Sequence, residues 1–316
     1  MRLIFRVDAS PDIGTGHVMR TSAIIEEAVS RGISCVVVGS LGSFSWLEER
    51  LSNLGVFHIE DSSCFKMDYG KDVLVIDSYN LPVDDIFIQP HHWKSVVSIS
   101  DDVTPQYLAT LIIHPGIDEV VRLGNESKIL AGPDFVPFRK SIKKASRLDN
   151  EFVNKIVVFA GGADKFGFAG AMAAGLERLP NFRTVVFFSN SHDDILGLDS
   201  RYEVRDFGLA LDEELHTADL IFSTASTSSL EIVAREIPLA VCFTVKNQMP
   251  YFDVLVNQGF AQGIGGINPQ GQWELDWNAI ETVVSDSEVR RKLLTNSRGY
   301  FDLLGSKRIV DEILKL

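Results

Sequence analysis

Short apolar runs rich in β-branched residues alternate along this chain with segments of helix length. In the first half such runs lie at Leu3–Val7, Ser34–Val38, Val73–Asp77, Ser95–Ile99 and Leu111–Ile113. The first two are separated by His17–Arg31, whose apolar positions follow a helical stripe. Strands separated by helices are typical of parallel β-α-β units with right-handed crossovers. The first half is therefore predicted to be an α/β domain.

A polar run at residues 138–154 interrupts this alternation, which then restarts. The later strands are predicted at Lys155–Ala160, Thr184–Phe188, Leu220–Ser223 and Leu239–Thr244, with helices starting near Gly167, Thr227 and Gln248. We therefore expect an N-terminal domain over residues 1–145 and a second domain over 152–300, with a ligand cleft between them. Residues 301–316 are expected to form a C-terminal helix that packs back on the first domain.

Charge and composition exclude several classes of function. The formal net charge is -13 over 316 residues, which disfavours binding of nucleic acid or an anionic membrane because both need a basic surface. No apolar run approaches the roughly 18 residues of a membrane span, and the N-terminus lacks a signal-peptide apolar region. Three widely spaced cysteines make neither a disulfide framework nor a zinc site. We expect a cytoplasmic protein of undetermined oligomeric state.

The stretch "DASPDIGTGHVMR", residues 8–20, joins the first strand to the first helix. Gly14 and Gly16 allow a sharp turn and close approach of a ligand to the backbone, at the strand end where α/β sheets bind ligands. The stretch differs from a dinucleotide-binding fingerprint because its sixth position is Met19 rather than glycine. The second strand also runs into Gly39 and offers no acid for a ribose.

His17 is predicted to lie in the first turn of this helix, where the helix dipole disfavours an imidazolium. A neutral imidazole can accept a proton from water or a hydroxyl, so His17 is the candidate general base. The alternative is a histidine that only caps the helix. No second histidine stands four residues on, which argues against a metal site.

Three further residues near this edge are candidate substrate contacts. Asp77 and Tyr79 follow the strand Val73–Ile76, and Arg20 lies one helical turn after His17. Tyr79 can stack on a sugar or hydrogen-bond its substituents, but an edge tyrosine exposed to water is equally consistent. Arg20 can reach an anionic or polar group, or simply lie on a solvated helix face.

The second half offers a candidate anion site in "STASTSSLE", residues 223–231, which follows one strand and opens a helix. Small hydroxyl residues at a helix N-terminus present amides and hydroxyls to an anion. Glu231, about one turn into the helix, can accept hydrogen bonds from ribose hydroxyls. The alternative is an N-capped helix whose dipole favours Glu231.

Two more loops are predicted at the same edge of this second sheet. Gly161 and Gly162 follow a strand and allow close approach of a ligand, while Asp164 is expected to cap the next helix. "VKNQ", residues 245–248, places the neutral amides of Asn247 and Gln248 after another strand, although such residues also serve as turn and cap residues. Together the three loops favour a phosphate site more strongly than any one alone.

These motifs resemble, in order and over nearly the whole chain, the UDP-sugar hydrolases of pseudaminic acid biosynthesis. The resemblance is carried by "FRVDASPDIGTGHVMR", "VIDSYNL", "ISDD", "AGPDFVPFR", "FAGGAD", "STASTSSLE" and "VKNQ". It implies two Rossmann-like α/β domains with the GT-B glycosyltransferase fold, and His17 as the base that activates water. UDP would leave the anomeric carbon of a 2,4-diacetamido-2,4,6-trideoxy-altrose with inversion, without metal or cofactor.

The resemblance assigns substrate contacts to the first domain and nucleotide contacts to the second. The substrate set is Gly14, Gly16, Arg20, Asp77 and Tyr79. The UDP set is Gly161, Gly162, Ser226, Thr227, Ser228, Glu231, Asn247 and Gln248. Two positions depart from the family: Thr224 and Ala225 stand where many members have a glycine-containing pair, and "GGAD" replaces GGSD.

Two other functions remain open at this point. A glycosyltransferase of the same fold would use His17 to deprotonate a sugar or lipid hydroxyl instead of water. A non-catalytic protein that binds sugar nucleotides would use the same loops and turn nothing over. The UDP-sugar hydrolase is the function that the sequence favours.

Overall fold

The computed structural model describes residues 1–68, 70–78, 81–82, 85, 87, 89–101, 108–117, 127–145, 151–162, 164–180, 182–189, 192–193 and 195–316, without the side chains of residues 62 and 247. The chain divides into two compact units. Unit 1 comprises Met1–Lys140 and Asp302–Leu316, and unit 2 comprises Ser141–Phe301. The first boundary lies inside the polar run at 138–154.

Unit 1 is built on a parallel sheet of strands β1 to β7. Their bounds are β1 (Arg2–Val7), β2 (Ser34–Val38), β3 (Phe57–Ile59), β4 (Val73–Asp77), β5 (Ser95–Ile99), β6 (Leu111–His114) and β7 (Lys128–Ala131). Helices α1 (Gly16–Ser30) and α2 (Ser45–Asn53) follow β1 and β2, and short 3-10 turns lie at Ser62–Cys64, Pro90–His92 and Pro133–Phe135. The strand order is β3-β2-β1-β4-β5-β6-β7, the Rossmann order extended by one strand.

The central strand β1 is apolar on both faces because helices and loops cover the sheet on both sides. Leu3, Ile4 and Phe5 are fully buried. Strand order reverses between β1 and β4, and this reversal is the topological switch point of the sheet. The register of the two strands pairs Val7 with Asp77. The loops after these two strands therefore leave the sheet at one level and diverge, which opens the crevice where such sheets bind ligands.

Unit 2 repeats this topology. Its elements are β8 (Lys155–Phe159), α3 (Phe168–Leu176), β9 (Thr184–Phe188), β10 (Tyr202–Arg205), α4 (Leu211–Thr217), β11 (Leu220–Thr224), α5 (Thr227–Arg235), β12 (Leu239–Phe243), a 3-10 turn (Lys246–Gln248), α6 (Met249–Asn257), β13 (Gln262–Ile267), β14 (Trp273–Leu275), α7 (Trp277–Ser285) and α8 (Ser287–Ser297). The strand order is β10-β9-β8-β11-β12-β13-β14, with β14 antiparallel to β13. The equivalent switch point lies between β8 and β11.

The chain ends with helix α9 (Gly305–Ile313), which belongs to unit 1 and packs against α1. Gly305 lies so close to the 3-10 turn after β7 that an added Cβ would lie 1.9 Å from the carbonyl oxygen of Val136. Ser306 Oγ donates to the carbonyl of Phe138 at 3.0 Å. The helix is therefore an integral part of unit 1.

Candidate functional site

In unit 1 the loop between β1 and α1 folds as a tight turn. The Gly14 N–H donates to the Ser10 carbonyl at 2.7 Å, and Gly14 has a φ of 82°, a left-handed conformation that favours glycine. An added Cβ at Gly14 would find nothing within 4 Å, so the backbone conformation, rather than close packing, requires this glycine. The turn ends at Thr15 and Gly16, and His17 is the second residue of α1.

His17 is held by a carboxylate from the other side of the switch point. Its Nδ1 lies 2.6 Å from Oδ1 of Asp77, the last residue of β4. The Asp77 side chain is 0% exposed, whereas that of His17 remains 13% exposed. A buried acid that orients a partly exposed imidazole is the arrangement that general-base histidines use.

Arg20 completes the cluster from one turn further along α1. Its Nε donates to Asp77 Oδ2 at 2.7 Å and its Nη2 to Asp77 Oδ1 at 2.6 Å. Its Nη1 donates to Asp101 just after β5, whose side chain is 35% exposed. The Arg20 side chain itself is only 5% exposed, so both of its carboxylate partners belong to the protein.

These contacts determine the ionisation of Asp77. Burial by itself would raise the pKa of this carboxyl, but the charges of Arg20 and His17, and the hydrogen bonds that both provide, outweigh burial and hold its pKa below the ordinary value. Asp77 is therefore a carboxylate at neutral pH, and it can only accept hydrogen bonds.

The arrangement revises two sequence-based assignments. Asp77 and Arg20 were expected to contact substrate, but both are buried and bonded to each other, because a charge can be buried only when it is paired. Tyr79 lies outside the described residues. Asp101 joins the cluster, although in the sequence an acid at the end of a strand, followed by a second acid at 102, is only weak evidence for a catalytic pair.

In unit 2 the loop after β8 carries the first predicted phosphate contact. Gly161 has a φ of 61°, and an added Cβ would meet nothing within 4 Å, so its backbone faces open space. Asp164 accepts from the N–H groups of Phe168 at 2.7 Å and Ala169 at 3.1 Å, and so caps α3. Burial raises the pKa of Asp164 to about 6, although these amides and Ser189 oppose the rise.

The loop between β11 and α5 carries the second predicted phosphate contact. Ser226 is the N-cap of α5 in extended conformation, and its N–H donates to Ser229 Oγ at 3.2 Å. The Ser226 Oγ is buried, and the Ser226 and Ser229 side chains form a capping box at the start of α5. The N–H groups of Thr227 and Ser228 lie in the first helical turn, where no intrahelical acceptor exists. These donors converge on the point where the helix dipole favours an anion.

Glycine is not required in this second loop. The non-glycine residues with positive φ among the described residues are Asp164, Glu236 and Leu303. Thr224 and Ala225 therefore adopt ordinary backbone conformations, and their difference from the hydrolases that the sequence resembles costs no strain.

The remaining nucleotide candidates differ in their surroundings. Glu231 is partly buried in α5. Gln248 Oε1 accepts from Thr244 N at 2.8 Å and Thr244 Oγ1 at 3.1 Å, so part of its side chain closes the loop after β12. Asn247 belongs to the adjacent 3-10 turn, but its side chain lies outside the described part of the chain.

The described ranges contain neither a metal-binding cluster nor a membrane-spanning helix. No group of three or more His, Cys, Asp and Glu side chains there is arranged to hold a metal ion. Every helix in those ranges is too short or too polar to traverse a bilayer.

Two Rossmann-like units, each with polar loops at its own switch point, define the GT-B class of fold. Solved structures confirm this fold class. Acinetobacter baumannii MurG matches with a TM-score of 0.64 at 13% identity, over 100% of both chains. A co-structure of S. aureus MnaA with UDP matches with a TM-score of 0.63 at 12% identity, covering 100% of this chain and 96% of that one.

At the level of sequence, the chain is 24% identical to a curated protein of Campylobacter jejuni over 332 aligned positions, which cover 94% of this chain and 96% of that protein. That protein is the UDP-N-acetylglucosamine--N-acetylmuramyl-(pentapeptide) pyrophosphoryl-undecaprenol N-acetylglucosamine transferase. No family model matches the chain. The relatives are thus enzymes that act on UDP-sugars.

Proposed function

We propose that this chain is a UDP-sugar-dependent enzyme that transfers the sugar to an acceptor hydroxyl, with His17 as the general base. The observation that carries the proposal is the His17–Asp77 pair at the switch point of unit 1, with Nδ1 and Oδ1 2.6 Å apart. The similarity to the C. jejuni transferase over nearly the whole chain supports transfer as the reaction.

The proposed reaction needs only the UDP-sugar, the acceptor hydroxyl and His17. His17 Nε2 accepts the proton of the acceptor hydroxyl while that oxygen attacks the anomeric carbon. The bond from this carbon to the diphosphate oxygen breaks, and its electron pair leaves with UDP. General-base assistance of this kind accounts for about 10² to 10⁴ in rate.

UDP is assigned to unit 2 in this proposal. The diphosphate accepts hydrogen bonds from the first-turn amides of α5 and from the hydroxyl of Ser226, the N-cap residue of that helix. The backbone of Gly161 and Gly162 borders the same edge, and Glu231 accepts from the ribose hydroxyls. The co-structure of MnaA with UDP, similar over the whole chain, supports a nucleotide role for this fold.

Hydrolysis is the second candidate, because two observations favour water as the acceptor. The resemblance to the pseudaminic acid hydrolases begins with the residues that form the His17 turn. Acidic residues also outnumber basic residues in both units, which disfavours an acceptor that carries a lipid diphosphate. In this variant of the mechanism water takes the place of the acceptor hydroxyl, and the proton still passes to His17.

Phosphorus NMR distinguishes the candidates. UDP-N-acetylglucosamine and UDP-2,4-diacetamido-2,4,6-trideoxy-altrose are each incubated with the protein, alone and with N-acetylmuramyl-(pentapeptide) pyrophosphoryl-undecaprenol. Release of UDP only with the acceptor indicates transfer, and release without it indicates hydrolysis. Tight UDP binding without release of UDP from either UDP-sugar indicates a binding protein. Absence of UDP binding refutes transfer, hydrolysis and non-catalytic binding alike.

Two variants assign the base. His17→Ala is expected to lower the rate of UDP release about 10² to 10⁴-fold with UDP affinity unchanged, because UDP is assigned to unit 2. His91→Ala removes an exposed histidine of the same unit and serves as the matched control. Equal activity of both variants would exclude His17 as the base.

A further inference from the structure

Arg20 makes more contacts than a residue that only neutralises a buried acid. Its guanidinium clasps both oxygens of Asp77 side-on through Nε and Nη2, while Nη1 reaches Asp101 from a different strand. Its Nη2 also lies 3.1 Å from His17 Nδ1. One guanidinium thus contacts the proposed base, the acid that orients it and a second acid beyond.

The distances determine where the proton of His17 lies. Nδ1 is 2.6 Å from a carboxylate oxygen, and two lone pairs at that distance would repel, so Nδ1 carries a proton and donates it to Asp77. The competing arrangement, in which Arg20 Nη2 donates to a bare Nδ1 at 3.1 Å, would leave the Asp77 oxygen without this bond. Nε2 is then the nitrogen that accepts a proton in the neutral ring.

The orientation of Asp77 therefore decides the tautomer of His17, and Arg20 fixes that orientation. A carboxylate that accepts only from His17 can rotate about its Cβ–Cγ bond. The side-on clasp through two nitrogens removes this freedom, because a guanidinium presents its donors in a rigid planar fork. Asp101 prevents the fork from rotating by holding its third nitrogen.

We propose that Arg20 is a positioning residue for the base: together with Asp101 it locks Asp77 so that His17 keeps its proton on Nδ1 and presents Nε2 to the acceptor. This inference rests on the proposed function for its catalytic meaning, whereas the tautomer itself is a property of the free protein. Arg20 is buried and occupied, so it does not recognise the substrate directly, in contrast to the assignment from sequence. Asp101 is the partly exposed residue of this set of contacts, so the contacts extend from His17 to the protein surface.

The first test is the tautomer of His17 in protein without substrate. Two-bond proton–nitrogen correlation NMR on ¹⁵N-histidine-labelled protein identifies which ring nitrogen carries the proton, and His17→Ala assigns the signal. We expect the Nδ1–H form in the wild type and a mixture of tautomers in Arg20→Met. A single Nε2–H form in the wild type, or an unchanged Nδ1–H form in Arg20→Met, would overturn the proposal.

The second test separates positioning from substrate binding. Arg20→Met is expected to lower kcat about 10- to 100-fold, within the range of a misoriented general base, with KM for the UDP-sugar nearly unchanged. The acid limb of its pH profile should move to higher pH, because a positive charge beside His17 is removed. A rise in KM with kcat retained would instead show that Arg20 binds substrate.

Three further variants control for loss of folding and test the contacts of Arg20. Arg20→Lys keeps the charge but cannot clasp Asp77 and Asp101 together, so we expect only partial recovery of kcat. Asp101→Asn leaves the hydrogen bonds from Arg20 to Asp77 in place, so we expect it to lower kcat less than Arg20→Met does. An equal or larger loss would contradict the proposal that Asp101 acts on Asp77 through Arg20. Arg31→Met removes an ion-paired arginine at the other end of α1 and is the matched control. If no UDP-sugar is turned over, the NMR test still decides the tautomer, and only the proposed function fails.

Discussion

The Asp77–Arg20 pair predicts a large coupling free energy in a double-mutant cycle. The variants are Arg20→Met, Asp77→Asn and the double variant. In Arg20→Met the carboxylate of Asp77, which is 0% exposed, keeps only His17 as a partner. Removing one member of a buried ion pair costs about 3–5 kcal/mol because the other charge is left uncompensated. Asp77→Asn removes the buried counter-charge of Arg20 and leaves its bond to Asp101 in place, so we expect a loss near the lower end of that range, about 3 kcal/mol.

The double variant leaves no uncompensated charge in the interior. Asp101 remains, but its side chain is 35% exposed and water can solvate it. The double variant should therefore lose about 3 kcal/mol, well below the sum of the single losses. The coupling free energy is then about 3–5 kcal/mol, a range that includes the Coulomb attraction of about 4 kcal/mol between two charges about 4 Å apart at an effective dielectric constant near 20.

Hydrogen exchange of α1 amides measures this coupling in unit 1, and exchange in α5 of unit 2 is the internal control. The pKa of Asp77 is held below its ordinary value, so the pair stabilises the folded state above the unfolded pKa of about 3.9. Its contribution is lost as the pH falls through the lower folded pKa, and the coupling should shrink there. Additive losses at pH 7, or a coupling that does not shrink as the pH falls below about 3.9, would refute the argument.

Three other predictions follow from unit 2 and from helix α9. Ser226→Ala should lower UDP affinity about tenfold or more, because a hydrogen bond to a charged group is lost, and should cost about 1 kcal/mol of stability, because Ser226 is also the N-cap of α5; isothermal titration and calorimetry check both, and unchanged affinity would place UDP elsewhere. Because the pKa of Asp164 is raised to about 6 in the folded state, the protonated carboxyl contributes about 2–3 kcal/mol to the free energy of unfolding below pH 4. This contribution is lost as the pH rises through 6. Asp164→Asn should remove that dependence in denaturant titrations at pH 4.5 and 7.5, and an unaltered dependence would contradict it. Gly305→Ala should destabilise unit 1 by more than about 2 kcal/mol, because its Cβ would lie 1.9 Å from a carbonyl oxygen; faster exchange in α1 is the readout, and protection equal to wild type would show that α9 can shift at little cost.

Much of the fold was predictable because the central strands are continuous apolar runs. Val73–Asp77, Ser95–Ile99 and Thr184–Phe188 have the predicted bounds. The missed strands lie towards the sheet edges, where burial is incomplete and the hydrophobic signal is weak. Phe57–Ile59 begins with an exposed phenylalanine, and Gln262–Ile267 contains three glycines.

The candidate site was predictable in position but not in its contacts. His17 and Asp77 could be assigned to one sheet edge because both follow strand ends, which the alternation of strands and helices already indicates. That Asp77 faces His17 and Arg20 rather than solvent depends on the β1–β4 register, which pairs residues 70 positions apart. No local pattern encodes such a pairing. Arg20 therefore resembled an exposed helical residue, although its guanidinium is buried among acids from two strands.

The proposed function assigns different tasks to the two switch points, and the residues at each differ accordingly. In unit 2 the donors are backbone amides and a hydroxyl at a helix start, which attract an anion without adding a titratable group. In unit 1 a fully buried carboxylate and a guanidinium on a side chain that is 5% exposed flank the partly exposed imidazole of His17. A site that only binds a ligand has no need of this buried ion pair, whose desolvation is costly. A base that must keep one tautomer through repeated proton transfers does need it. The asymmetry between the two edges is therefore the strongest structural argument for turnover over simple binding.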